Sequence, residues 1–153
     1  NEMWENITME INKMIFIKEF VIKLTFAFIP TKILHEFGHV LACYIYNVPV
    51  YGIVFRFPDF ITLHGAPSTE LILKFIKYSG GFFAFIVLIP FLLLIKHANS
   101  RDIGTEATVF SYSIYSLING LVEGYYLSQY ETNPSIIVPF FIISIIVSYF
   151  IYN

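Results

Sequence analysis

Residues 82–95 read FFAFIVLIPFLLLI. No charged or hydrogen-bonding side chain interrupts them, so a helix here has no face that favours water. Such a helix is either packed on all sides or bathed in lipid. The rest of the chain decides between the two. Of its 153 residues, 57% are hydrophobic and 13% charged, and the mean hydropathy is +0.71. Soluble domains carry about 25% charge, so lipid is the expected solvent. The 17 Phe and 11 Tyr residues suit a bilayer and its interfaces. A net charge of −2 leaves no basic footprint for nucleic acid, which is excluded as a partner.

Charges divide the sequence into apolar blocks. Residues 1–13 are polar. Residues 14–46 are apolar, with Lys18, Glu19, Lys23 and Lys32 as interruptions. Pro30 is expected to split this block into a lead-in helix and a second helix over 31–46. Residues 47–69 hold three prolines and two glycines among short β-branched and aromatic runs. They read as a β-hairpin or re-entrant loop, with strands at 50–56 and 60–64. The clearest membrane helix covers 71–95, and its Gly80-Gly81 pair offers a place for close helix approach. A charged loop is expected at 96–106, a more polar membrane helix at 107–128, a turn at 129–135 and a last apolar helix at 136–152. The expected fold class is an all-α membrane protein. It has about four transmembrane helices and a short hairpin or re-entrant loop. One membrane-embedded domain covers 1–153, with a lead-in segment 1–30, a core 31–128 and a last transmembrane helix 136–152.

The stretch ILHEFGHVL, residues 33–41, carries the chemistry. His35 and His39 are four residues apart and share one helix face, so both imidazoles can reach a single zinc ion. Glu36 is turned about 100° from His35. It is placed to take the proton of an attacking water rather than to bind metal. Ionisable groups inside a membrane segment cost roughly 2.5 kcal/mol or more each, and a metal compensates.

A catalytic zinc site usually has three protein ligands and an open position. The candidates for the third are His64, His97, Asp59, Asp102, Glu70, Glu106, Glu123 and Glu131. Depth sorts them. The HExxH helix ends near residue 46, and the 71–95 helix carries the chain to the opposite side. His97, Asp102 and Glu106 are therefore too far away. The 107–128 helix returns and brings Glu123 to roughly 8 Å below the surface, near the depth of the histidines. Asn119 lies one turn deeper on the same face. Glu123 is the expected third ligand and His64, at the loop, is its rival.

At this point the chain resembles the site-2 protease family of zinc intramembrane proteases. ILHEFGHVLACYIYNV looks like the HExxH helix of that family. The 48–66 segment sits where the family has a membrane-associated hairpin, and KYSGGFFAF where it has a Gly-rich packing motif. SLINGLVEGYYL sits where it has an upstream Asn and a Leu-Asp-Gly motif. Glu123 would take the position of that Asp, and Asn119 that of the Asn. The chain departs from the pattern in having Glu for Asp, a shorter Asn-to-acid spacing, and no intervening prolines. The resemblance implies an endopeptidase that holds one zinc ion per chain and cleaves membrane-protein substrates within or near the bilayer.

In that reading His35, His39 and Glu123 hold the metal. Glu36 shuttles the proton from water to the leaving amine. Asn119 holds the substrate backbone or the developing oxyanion. The hairpin accepts substrate as an added strand. Two alternatives stay open: a non-catalytic metal-binding membrane scaffold, and a zinc membrane hydrolase acting on a non-peptide substrate. The expected location is an integral, multi-pass membrane protein. Lys and Arg placement leans slightly toward one orientation, while the resemblance implies the other, with the zinc site nearer the cytosolic face.

Overall fold

The computed structural model describes residues 2–56, 59–98, 102–127 and 138–152. Helix α1 spans Glu2–Ile45, strands β1 and β2 span Val50–Arg56 and Asp59–His64, and helix α2 spans Glu70–His97. Helix α3 spans Ile103–Val122 and runs straight into a π-helical turn, Glu123–Leu127. Helix α4 spans Val138–Tyr152. The expected 129–135 turn lies outside the described residues.

Pro30 does not divide α1. The helix runs through it for 44 residues, about 66 Å. A proline inside a helix removes one hydrogen bond, here to the Phe26 carbonyl, and crowds the preceding turn at a cost of about 3 kcal/mol. Ending the helix there would expose several backbone groups instead. Packing also holds both sides of the proline, with Phe20 and Leu24 buried before it and His35 and Glu36 after it. Residues 2–13, the polar start of the chain, are the first turns of the same helix.

The end of α1 is set by Asn47, whose φ of 54° is left-handed. Asn tolerates that conformation, and it reverses the chain. The Val48 amide donates to the Cys43 carbonyl at 2.8 Å, and the Asn47 amide to Tyr44 at 3.2 Å. Val48 and Cys43 then bury together with Ala42 and Ile76. This closure folds β1 back over the end of α1. The two strands pair antiparallel, with Ile53 opposite Thr62 and Val54 opposite Ile61, and a bulge between Val50 and Gly52. The hairpin reading of 47–69 is therefore the observed one, with β2 beginning one residue earlier than expected.

Helix α3 begins four residues before its expected start. Asp102 caps it, accepting from the Thr105 amide at 3.1 Å. Lys23 of α1 donates to both Asp102 oxygens, at 2.7 and 2.5 Å. That ammonium, together with the Thr105 donors, holds the Asp102 carboxyl down at about 2. Thr69 caps α2 in the same manner, accepting from Ile72 at 3.3 Å.

Helix α3 lies at the centre, against α1, α2 and α4. Its contact with α2 is made backbone to backbone. A Cβ on Gly81 would overlap the Gly120 backbone and the Ser116 carbonyl, and one on Gly120 would lie 3.1 Å from the Gly81 Cα. The interior is unusually polar. Ser111, Ser113, Ser116, Asn119, Ser144 and Ser148 are each at most 2% exposed, whereas Phe26, Leu94 and Phe150 are 71% exposed or more. The hydroxyls are satisfied locally, Ser113 by the Val109 carbonyl and Ser148 by the Ser144 carbonyl. Four helices and a hairpin are thus present. Among the described residues one helix, α2, is long and apolar enough to cross a membrane, and α4 is apolar but has 15 residues.

Candidate metal centre

One face of α1 carries His35 and His39 inward, 4% and 8% exposed. Their Nε2 atoms converge to 3.0 Å. Glu123, at the start of the π-helical turn, brings Oε2 to 3.0 Å from His35 Nε2 and 3.4 Å from His39 Nε2. The three residues are a potential ligand set, their donor atoms all within 4.8 Å. Tetrahedral zinc, with bonds of about 2.0–2.2 Å, needs donors roughly 3.3 Å apart, so two imidazoles and one carboxylate fit it here to a few tenths of an ångström.

The backbone around the site leaves room only because it lacks side chains. A Cβ on Gly80 would lie 2.5 Å from His39 Nε2 and 2.8 Å from His35 Nε2. Gly38 faces the same seam, where a Cβ would meet the Ser79 carbonyl at 2.5 Å and Gly80 Cα at 2.9 Å. The seam between α1 and α2 is therefore built of glycine on both sides. A Gly124 Cβ would in turn overlap the Tyr78 ring, so the turn carrying Glu123 also sits tight on α2.

Neighbouring groups orient the candidate ligands. His39 Nδ1–H donates to the Ile76 carbonyl at 2.6 Å, which leaves a lone pair on Nε2. Asn119 Nδ2 lies 3.3 Å from His35 Nδ1 and donates to Glu123 Oε1 at 3.2 Å. Asn119 and Glu123 thus share a helix face, as their spacing predicts, and the amide touches both ligands. Glu36, 4% exposed, reaches the hairpin. Its Oε2 accepts from the Thr62 amide and the Thr62 hydroxyl, each at 2.7 Å.

His64 does not join the group. It ends β2, and its Nδ1–H donates to the Gly65 carbonyl at 2.8 Å. His97 bonds the Leu93 carbonyl at the far end of α2, and Asp102 is held by Lys23. Glu70 pairs with Lys74 at 2.8 Å. Glu106, 1% exposed, is buried near the start of α3. Asp59 lies in β2, and Glu131 is outside the described residues. Three contributors to the site have no sequence signal that ties them to it: Thr62, the Ile76 carbonyl and Gly80. Thr62 reaches Glu36 through the hairpin register, and a carbonyl has no residue-type signature. Gly80 reads in the sequence as a helix-packing residue and does that too, but its bare Cα also borders both imidazoles.

Comparison of the chain with protein-family models, with curated proteins and with solved structures returns no match.

Proposed function

We propose that the protein is a zinc-dependent intramembrane endopeptidase resembling the site-2 protease family. The observation that carries the reading is the convergence of His35, His39 and Glu123 beside a buried glutamate of the same HExxH helix. The membrane location is supported by the distribution of side chains. Serines, an asparagine, histidines and glutamates share the interior with apolar clusters, while Phe, Leu and Ile cover much of the outside of α1, α2 and α4. So many exposed large apolar side chains are rare on a soluble protein. Contact through Gly81 and Gly120 is the helix packing expected where lipid, not water, surrounds the helices. In this reading the chain is a multi-pass integral protein, and its partners are the bilayer and a membrane-protein substrate.

Zinc, when bound, supplies the Lewis acidity that activates a carbonyl and a water molecule. The chain's own residues supply the rest. Glu36 takes a proton from the attacking water and returns it to the departing amine. Thr62 fixes where that carboxylate stands, with two donors on one oxygen. The hairpin that carries Thr62 is a two-stranded sheet among the described residues, to which an unwound substrate segment can add as a further strand.

The test is the zinc content of the purified chain, by elemental analysis. Wild type and His64→Ala should each hold one zinc per chain. Glu123→Ala should hold none, and Glu123→Asp should keep it. A wild type without zinc sinks the metalloprotease reading and leaves a membrane scaffold. Loss in His64→Ala alone would mean that the third ligand is misassigned.

A further inference from the structure

Thr62 bonds Glu36 through both its amide and its hydroxyl, and this fixes how the hairpin is turned toward α1. Side chains alternate between the two faces of a strand, and residues directly opposite in an antiparallel pair share a face. Ile53 stands opposite Thr62, and Phe55 opposite Phe60. The face that Thr62 turns to Glu36 therefore also carries Ile53, Phe55 and Phe60. Val54 and Ile61 lie on the other face.

Exposure rises along the shared face. Thr62 is buried where it meets α1, and Phe60 is half-buried. Ile53 is 44% exposed and Phe55 59%. The Phe55 and Phe60 rings touch, with centroids 5.0 Å apart, so the open part is one apolar shelf. Strand geometry places the shelf beside the chemistry. Opposed Cβ atoms are about 4.5–5.5 Å apart, and residues two apart on a strand are about 6.5 Å apart. Ile53 and Phe60 are thus immediate neighbours of the threonine that holds Glu36. A peptide bond within reach of that carboxylate brings a flanking side chain over the shelf. No side chain of the three has a polar atom, so a large apolar group gains contact there and a charged one loses water without a partner.

We propose, resting on the endopeptidase reading above, that Ile53, Phe55 and Phe60 are specificity-determining residues. They receive a large apolar side chain next to the scissile bond. The substrate class is then a membrane-spanning segment cut beside residues such as Leu or Phe, rather than beside small or polar ones.

The test gives the full, zinc-loaded chain in detergent micelles an equimolar set of membrane-spanning model peptides. Their central positions vary among Ala, Ser, Leu and Phe, and the residues flanking each cut are read by mass spectrometry. Wild type should cut beside Leu or Phe about tenfold more often than beside Ala or Ser. Ile53→Ala and Phe55→Ala should each bring that ratio to within about threefold. Ile53→Trp fills the shelf and should turn the preference toward Ala and Ser, a reversal that lost stability cannot produce. Ile61→Ala, on the opposite face, should leave the ratio as it is. A second readout needs no turnover. With a mild oxidant and no metal, a model peptide bearing one cysteine should cross-link to Ile53→Cys and not to Ile61→Cys. The native Cys43 is 0% exposed and stays silent.

A ratio unmoved by both Ile53→Ala and Phe55→Ala, or moved as much by Ile61→Ala, overturns the proposal while the endopeptidase reading stands. Equal cross-linking at positions 53 and 61 does the same. Cross-linking at 53 without any cut overturns the endopeptidase reading and leaves the shelf as a peptide-binding surface. Neither cut nor cross-link overturns both.

Discussion

The two halves of α1 are one uninterrupted helix in two environments. From Thr31 to Cys43, eight residues are buried: Thr31, Lys32, His35, Glu36, Gly38, His39, Ala42 and Cys43. Five of those eight are polar. From residue 3 to 19 none is buried, although Met3, Trp4, Met9 and Met14 are apolar and 49% exposed or more. Polarity therefore does not sort inside from outside in this helix. Partners do. The second half meets α2, α3 and the hairpin, which offer the Ile76 carbonyl, the Asn119 amide and both Thr62 donors. Residues 3–19 meet less: Phe16 packs against Tyr149 and the Phe20 cluster, and Ile103 and Tyr152 line one groove with the first turns.

The comparison breaks most sharply at Glu36. Glu36→Gln keeps the shape and the contact with Thr62 but cannot take a proton. Proteolysis of a reconstituted transmembrane substrate should fall about 10²- to 10⁴-fold with zinc content unchanged. Activity equal to wild type would remove Glu36 from the chemistry. Gly80→Ala comes next. Its methyl group would press on both imidazoles, so zinc affinity should drop by at least tenfold and the fold should lose about 1–3 kcal/mol, read from denaturant melts. An unchanged affinity would mean that the α1–α2 seam yields easily. Thr62→Val removes one of two donors to Glu36 while keeping the amide. A lost hydrogen bond to a charged group is worth about 1.5–3 kcal/mol, so turnover should fall roughly tenfold and Thr62→Ser should restore it.

At the opposite end the expected effects are smaller. Asp102 has its carboxyl lowered to about 2 by Lys23 and Thr105, so its contribution is complete above the ordinary carboxylate value and fades as pH falls toward 2. Melting temperature should decline over that window, and the decline should be shallower in Asp102→Asn. Truncation of residues 2–9 should change least. With no buried side chain among residues 3–9, its removal should leave zinc binding and melting near wild type. A large loss there would show that the bare half of α1 has a partner after all.

Much of this architecture is legible in the sequence because it rests on periodicity and depth. His35 and His39 meet through helical spacing, and Glu123 joins them because α3 returns the chain to the same level. Strand-like composition between Pro49 and Pro67 located the hairpin. What stayed hidden depends on tertiary supply. Continuity through Pro30 follows from packing on both sides of it. The early start of α3 follows from Asp102 serving as both cap and ion-pair partner, in a stretch whose charges read as loop. The support for Glu36 comes from a register, and that for His39 from a main-chain carbonyl.

The glycine contact between α2 and α3 has a consequence for how such a chain can change over generations. Every alternative to glycine carries a Cβ, and at position 81 that atom would overlap the Gly120 backbone. Position 81 therefore has no neutral neighbours among single substitutions, and a change at position 120 cannot rescue it, because the obstruction is main chain. Outward positions such as Leu94 and Phe150 can drift freely among apolar residues. Diverging copies of this protein should fade around a fixed glycine pair long before they lose the arrangement of the helices.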